Sequence, residues 1–185
     1  MWTAILAAGG LVGKSVSLLN KHSFLILMLA MLAAAILIGH QTVPPMDRDE
    51  ARFAQASKQM LASGDYVTVR FQDELRAKKP AGIYWLQSAA ASLFGADHIA
   101  AYRLPSLLAF LATIWGTYHL ASHLYRKPRA LLAAAVLGTS LLAFAEAHLA
   151  KTDTVLMALC LAQQMMLMRI YLASQLGRAP PEQSW

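Results

Sequence analysis

Twenty-five consecutive residues, His22 to Met46, carry no formal charge, and five charged side chains follow at once in Asp47-Arg48-Asp49-Glu50-Ala51-Arg52. An apolar run of that length is enough to cross a bilayer, which needs roughly 20 residues. Charges crowded at a membrane boundary either cap a helix or meet a charged ligand there. The rest of the chain repeats the theme. It is 57% hydrophobic and only 14% charged, too apolar for an ordinary soluble domain of 185 residues. The net charge of +6 does not point to nucleic acid, because the basic residues stand at the ends of hydrophobic runs. The single cysteine, Cys160, excludes an internal disulfide and sits in an apolar run, where packing is its expected role.

Four membrane spans are predicted. The first lies within Phe24–Val43 and the second within Leu104–Tyr125, bracketed by Arg103 and Arg126. The third starts at Ala130 and runs to about Ala145, or a turn further with Glu146 at the interface. The fourth starts near Thr154 and must pass Arg169, whose long side chain can snorkel to the headgroups. With alternating spans, Lys14, Lys21, Arg126, Lys127, Arg129, Arg169 and Arg178 fall on one side, opposed there only by Glu182. The positive-inside rule makes that side cytoplasmic. The 41–103 loop and the Glu146–Asp153 link then face outward. The N-terminus does not read as a cleavable signal peptide, since its apolar run is long for one. Met1–Gly13 is apolar, short and suited to the membrane surface.

The outer loop has its own pattern. Asp47-x-x-Glu50 has capping-box spacing, and Phe53, Ala56, Met60 and Leu61 then share one helical face. Gly64-Asp65 breaks that helix. Tyr66–Phe71 alternates as an extended segment would, and Gln72–Lys79 is a charged linker. Pro80 opens a second helix, on which Ile83, Leu86, Ala90 and Leu93 recur at helical spacing, and Gly95 ends it. Two interfacial helices joined by a basic linker make a charged shelf on the outer face. The fold class is therefore all-α: a polytopic membrane protein with about four transmembrane helices and two interfacial ones. Tyr84 and Trp85 read as interfacial anchors.

Four stretches carry a family resemblance: Asp49-Glu50-Ala51-Arg52-Phe53, Met60-Leu61-Ala62-Ser63-Gly64-Asp65-Tyr66, Lys79-Pro80-Ala81-Gly82-Ile83-Tyr84-Trp85-Leu86-Gln87 and Leu93-Phe94-Gly95. In order and interval they resemble the N-terminal region of bacterial GT-C glycosyltransferases, in the branch of aminoarabinose (lipid A) transferases and protein O-mannosyltransferase-like proteins. The likeness covers about residues 24–175. It implies a multi-pass protein of the bacterial inner membrane. Its donor would be a polyprenyl-phosphate-linked sugar, transferred to a lipid or protein acceptor on the periplasmic side. Such enzymes have about a dozen spans and usually a C-terminal periplasmic domain. Residues 1–185 would then be the N-terminal portion of one GT-C transmembrane domain, inactive alone, with 41–103 as its first periplasmic loop.

By the same resemblance Asp49 is the leading catalytic candidate, with Glu50 as its partner and Asp153 as a second acidic group from the next outward loop. Arg52 and Lys79 match positions expected to contact the donor phosphate. Lys78, Arg48 and Glu146 are secondary candidates. The chemistry suits these types: transfer needs a base for the acceptor hydroxyl and cations for the departing phosphate, and arginine binds phosphate in bidentate fashion. One departure is Lys78, where the family often has an acidic residue before the Lys-Pro pair; this weakens any metal site that uses that group. Asp47-Arg48-Asp49 also reads as D-x-D, but without a nucleotide-binding fold it implies no metal. No cofactor is implied beyond the donor substrate.

Plainer roles exist for each residue. Asp47 and Glu50 suit caps, Asp49 a solvated charge, and Arg52, Lys78 and Lys79 partners of anionic headgroups, worth about 1 kcal/mol each. Glu146 and Asp153 also suit span boundaries. His119, His123 and His148 have no ligand-like spacing. The rival function is a non-catalytic membrane scaffold or transporter fragment that binds anionic lipid. Such a binder needs a basic outer loop but no particular carboxylate.

Overall fold

Apolar residues at nearly every position, with no proline or glycine to interrupt them, make α1 (Lys21–Leu37) a continuous helix. It ends where Gly39 takes a left-handed backbone (φ 79°), a conformation that costs glycine little. The chain then turns through residues 38–43, so the helical part of the first span stops six residues short of Val43. The computed structural model describes residues 21–76 and 79–175. Met1–Gly13, Lys14, Lys78, Arg178 and Glu182, all used in the sequence reading, lie outside the described residues.

The remaining elements follow in chain order: α2 (Arg48–Ser63), β1 (Arg70–Phe71), β2 (Glu74–Leu75), α3 (Gly82–Phe94), α4 (Ile99–Leu124), α5 (Lys127–Gly138), α6 (Leu141–Ala147) and α7 (Asp153–Gln175). The fold is helical, and its one departure from all-α is a two-stranded hairpin in the charged linker. There Arg70 pairs with Leu75 and Phe71 with Glu74, antiparallel, around a turn at Gln72 and Asp73. Gln59 pins that turn from α2 by donating to the Gln72 carbonyl and accepting from its amide.

Helices α4 and α7 are long and apolar enough to cross a membrane. With α1 and a bent pair they give a polytopic membrane protein. The bent pair corrects the expected third span. Instead of one helix from Ala130 to about Ala145, α5 and α6 meet at 61° across Thr139–Ser140. Thr139 Oγ1 donates to the Ala135 carbonyl at 2.8 Å, which the Thr139 amide also bonds, and reaches that of Val136 at 3.4 Å. The second span also starts earlier than Leu104. Helix α4 begins at Ile99, runs on through Pro105 and takes Arg103 into its buried face.

Helix α4 is the hub, touching α1, α3, α5, α6 and α7. Its Phe110 and Ile114 are fully buried among Ile36, Ala130 and Ala134. Gly116 lets α7 come close, since a Cβ there would stand 2.8 Å from Leu161 Cδ2. Helix α7 otherwise turns Leu156, Leu159, Leu167 and Ile170 outward.

Helices α2 and α3 pack on each other. Phe53, Ala56, Met60, Val69, Ile83 and Tyr84 form a core of their own. Beside it, Ser57 Oγ donates to Gln87 Oε1 at 2.7 Å and Ser88 Oγ donates to the Ser57 carbonyl at 3.0 Å. Small polar residues allow this close approach, so the buried face of α3 carries Ser88, Ala90 and Ala91, while Leu86 and Leu93 face out. That corrects the reading of those two leucines as partners of Ile83. Tyr84 is likewise a core residue, 0% exposed, while Trp85 remains half-exposed and donates to the Tyr66 carbonyl at 2.7 Å.

Candidate active site

The charged cluster after the first span is divided among separate tasks by the turn of α2. Asp47 is its N-cap: the side chain accepts from the Asp49 amide at 3.2 Å, and the acidic first turn suits the positive end of the helix dipole. Arg48 is exposed, and no bond or ion pair fixes it among the described residues. Asp49 and Arg52, one turn apart, sit side by side on an exposed face with Arg52 Nη1 3.4 Å from Asp49 Oδ1.

Glu50 points the other way, into the protein, and is 0% exposed. Its Oε1 accepts from Arg103 Nε at 2.7 Å and from the Ala150 amide at 3.1 Å. Its Oε2 accepts from the Met46 amide at 3.1 Å. Arg103 spends three of its four remaining donors on the carbonyls of His40, Val43 and Pro44. One buried ion pair thus joins the exit of the first span, α2, the start of α4 and the loop before α7. Both oxygens of Glu50 are taken by protein donors. Glu50, expected beside Asp49 as its catalytic partner, is thus buried in an ion pair while Asp49 is exposed.

Asp49, Arg52 and Lys79 converge on a cleft of about 280 Å³, together with Phe71, Glu74 and Arg76 of the hairpin region. Two of these cations come from chain segments that only the packing of α2 against the hairpin and α3 brings near Asp49. Three cations against two carboxylates leave the cleft positive, suited to an anion. Asp153 and Glu146 do not reach it. They line a second cleft of about 320 Å³, with Thr154, beside the break between α5 and α6. Asp49 and Asp153, the acidic groups expected from two outward loops, thus line two separate clefts.

Lys151 bridges the two regions. Its Nζ lies 2.5 Å from Asp47 Oδ2 and 3.6 Å from Glu146 Oε2. The bond from Lys151 holds the Asp47 carboxyl below its ordinary value. Burial pulls the Lys151 ammonium down, but the bond to Asp47 and the field of Glu146 outweigh it and leave its pKa raised. The two aspartates of the D-x-D pattern therefore serve different cations, Asp47 facing Lys151 and Asp49 facing Arg52. No cluster of three metal-ligating side chains occurs among the described residues.

Three residues that sequence reasoning passed over matter here: Arg103, Lys151 and Arg76. Arg103 had a usable signal, because an arginine at the edge of an apolar helix has to find a partner when it is buried.

A family model described as dolichyl-phosphate-mannose-protein mannosyltransferase matches residues 78–178, more than half of the chain. Among curated proteins, an undecaprenyl phosphate-alpha-4-amino-4-deoxy-L-arabinose arabinosyl transferase of Pseudomonas fluorescens (strain Pf0-1) is 36% identical over 89 residues, 48% of this chain and 16% of the relative. The enzyme of the same description from Pseudomonas aeruginosa (strain LESB58) is 36% identical over 92 residues, 50% of this chain and 17% of the relative. Among solved structures, ArnT from Cupriavidus metallidurans in the apo state superposes with a TM-score of 0.73 at 22% identity, over 88% of this chain and 29% of that one. The same protein bound to undecaprenyl phosphate gives 0.66 at 24% identity, over 87% and 28%. The chain thus corresponds to less than a third of these structures, and its matches to about a sixth of the curated relatives. With more than half its length matched by one family model, the chain belongs to the dolichyl-phosphate-mannose-protein mannosyltransferase family.

Proposed function

We propose that this chain builds the donor-phosphate side of a membrane glycosyltransferase. The donor is a polyprenyl-phosphate-linked sugar, of the aminoarabinose type named for its relatives. The acceptor is a lipid, with a protein as the alternative. The protein sits in the bacterial inner membrane with residues 41–103 and 146–153 on the periplasmic face. The observation that carries this reading is the convergence of Asp49, Arg52 and Lys79 on one positively charged cleft at the exit of an apolar helix.

The chemistry divides as follows. The acceptor hydroxyl attacks the anomeric carbon as the bond from that carbon to the phosphate oxygen breaks. Asp49 accepts the hydroxyl proton. Arg52 and Lys79 stabilise the polyprenyl phosphate that leaves, and such charge-assisted contacts to phosphate are the strong ones. Exposed Asp49 keeps oxygens free for this, while Glu50 and Arg103 hold the backbone beside it. Asp153 and Glu146, in the neighbouring cleft, serve the acceptor side.

Membranes carrying the full-length parent, given a polyprenyl-phosphate aminosugar and lipid A, test the reading through Asp49→Asn. Asp47, not Asp49, caps α2, and an exposed polar exchange usually stays within about 0.5 kcal/mol of wild-type stability. A lost general base costs roughly 10²–10⁴ in rate. Normal stability with transfer down by that factor is expected. Near-normal transfer would remove Asp49 from the chemistry and shift the expected base to Asp153.

A further inference from the structure

Arg76 has the most constrained guanidinium in the basic cleft, and neither the sequence motifs nor the family match singles it out. Its backbone amide donates to the Val69 carbonyl at 2.8 Å, continuing the hairpin one residue past β2. Its Nε donates to the Tyr84 hydroxyl at 3.0 Å. Its guanidinium carbon lies 5.4 Å from the centre of the Phe53 ring and 5.9 Å from that of Phe71. Tyr84 and Phe53 are themselves core residues with ring centres 5.4 Å apart. The side chain is therefore fixed at its base, along its edge and against aromatic rings.

What it lacks is an anion. Arg52, the other arginine of the cleft, already stands beside Asp49. Among the described residues no carboxylate lies within ion-pair distance of Arg76, although Glu74 lines the same cleft. With Nε occupied by a neutral hydroxyl, the two Nη groups keep their donors for a ligand. A planar fork held in place loses little freedom on binding a tetrahedral oxyanion, whereas exposed Lys79 must be ordered to do so.

We propose that Arg76 is a phosphate-binding residue of this cleft, a preorganised fork for the phosphate monoester of a polyprenyl chain, and that Tyr84 is its positioning residue. The inference rests on the reading of the cleft as the donor-phosphate site. It goes beyond it by assigning the geometry of recognition to Arg76 and leaving Arg52 and Lys79 to supply charge.

The test compares two lipids with one tail, undecaprenyl phosphate and undecaprenol, titrated into the protein in nanodiscs and read by native mass spectrometry. The ratio of their affinities isolates the phosphate. Arg76→Gln should shrink that ratio by about tenfold to a hundredfold while undecaprenol binding stays unchanged, the range expected for losing a charge-assisted contact. Arg76→Lys should recover only part of it, since the charge returns without the fork. Tyr84→Phe should reduce it several-fold with the charge intact. An unchanged ratio in Arg76→Gln, or an equal fall for both lipids, would overturn the assignment, the latter by making Arg76 merely structural. Should Arg52→Ala and Lys79→Ala lower the ratio while Arg76→Gln does not, only the role of Arg76 fails. If none of the three lowers it, the donor-phosphate reading of the cleft fails as well.

Discussion

Removing one charge of the Glu50–Arg103 pair should destabilise the fold more than any change at the exposed charges around it. The side chains of this pair are 0% and 2% exposed. Glu50→Gln keeps size and shape, but leaves the guanidinium without a counter-charge. It also sets an amide donor against either the Met46 or the Ala150 amide, which both now donate to the carboxylate. Breaking a buried pair in this way typically costs about 3–5 kcal/mol. For a chain of this size that corresponds to a fall in melting temperature on the order of 10 °C.

A double substitution, Glu50→Leu with Arg103→Met, separates charge from scaffolding. Replacing a buried pair by apolar residues is often neutral. Here the pair also holds the carbonyls of His40, Val43 and Pro44 and the amides of Met46 and Ala150. Each such group left buried and unpaired costs about 1–3 kcal/mol. The double variant should therefore stay several kcal/mol below wild type. Thermal and chemical unfolding of the three proteins in one detergent measures both effects. A loss under about 1 kcal/mol for Glu50→Gln, or full recovery in the double variant, would refute the clamp.

Two further outcomes follow from the same geometry. On a Cys160→Ser background, a cysteine at Ser63 should react with a membrane-impermeant reagent from outside and one at Lys127 should not, and the reverse pattern would reject the periplasmic placement of the cleft. The Asp47–Lys151 bridge should tighten α2 against the 146–153 loop only while both partners are charged. Its depressed carboxyl contributes above the unfolded value and loses this as pH falls through the lower folded value. Its raised ammonium contributes below the unfolded value and loses this as pH rises through the higher folded one. Lys151→Met should accordingly return the Asp47 titration towards the ordinary carboxylate range, as read by NMR, and no movement would mean that Lys151 does not hold it.

Local periodicity made the elements legible. The apolar run before Met46, the Phe53–Ala56–Met60 face and the glycine stops at Gly64 and Gly95 are each decided within a few residues, and each appears as a helix, a buried stripe or a positive-φ cap. The third span misled because Thr139 and Ser140 are helix-compatible one at a time. Only the back-bond of Thr139 to the preceding turn, the 61° bend and the packing of α4 across both halves show the break. Leu86 and Leu93 misled for a related reason. Helical spacing says that they share a face, but not which face α2 covers, and the close Ser57–Gln87 approach covers the one with small side chains.

The candidate site was legible as residue types and opaque as geometry. Asp49, Arg52 and Lys79 are visible as a charge pattern at a membrane exit, and the structure brings them to one cleft. Nothing in the local pattern distinguishes Asp49 from Glu50, its neighbour. The difference is a rotation of about 100° around α2, which sends one carboxylate to the cleft and the other to an arginine 53 positions away. That rotation matters chemically. A carboxylate that is 0% exposed and paired with a buried guanidinium is closed to a substrate proton by its burial. The exposed one is open to it, and it stands next to the cations that would hold the leaving phosphate. The helix thus turns two adjacent acids to opposite surroundings, one into a buried ion pair and the other to the cleft.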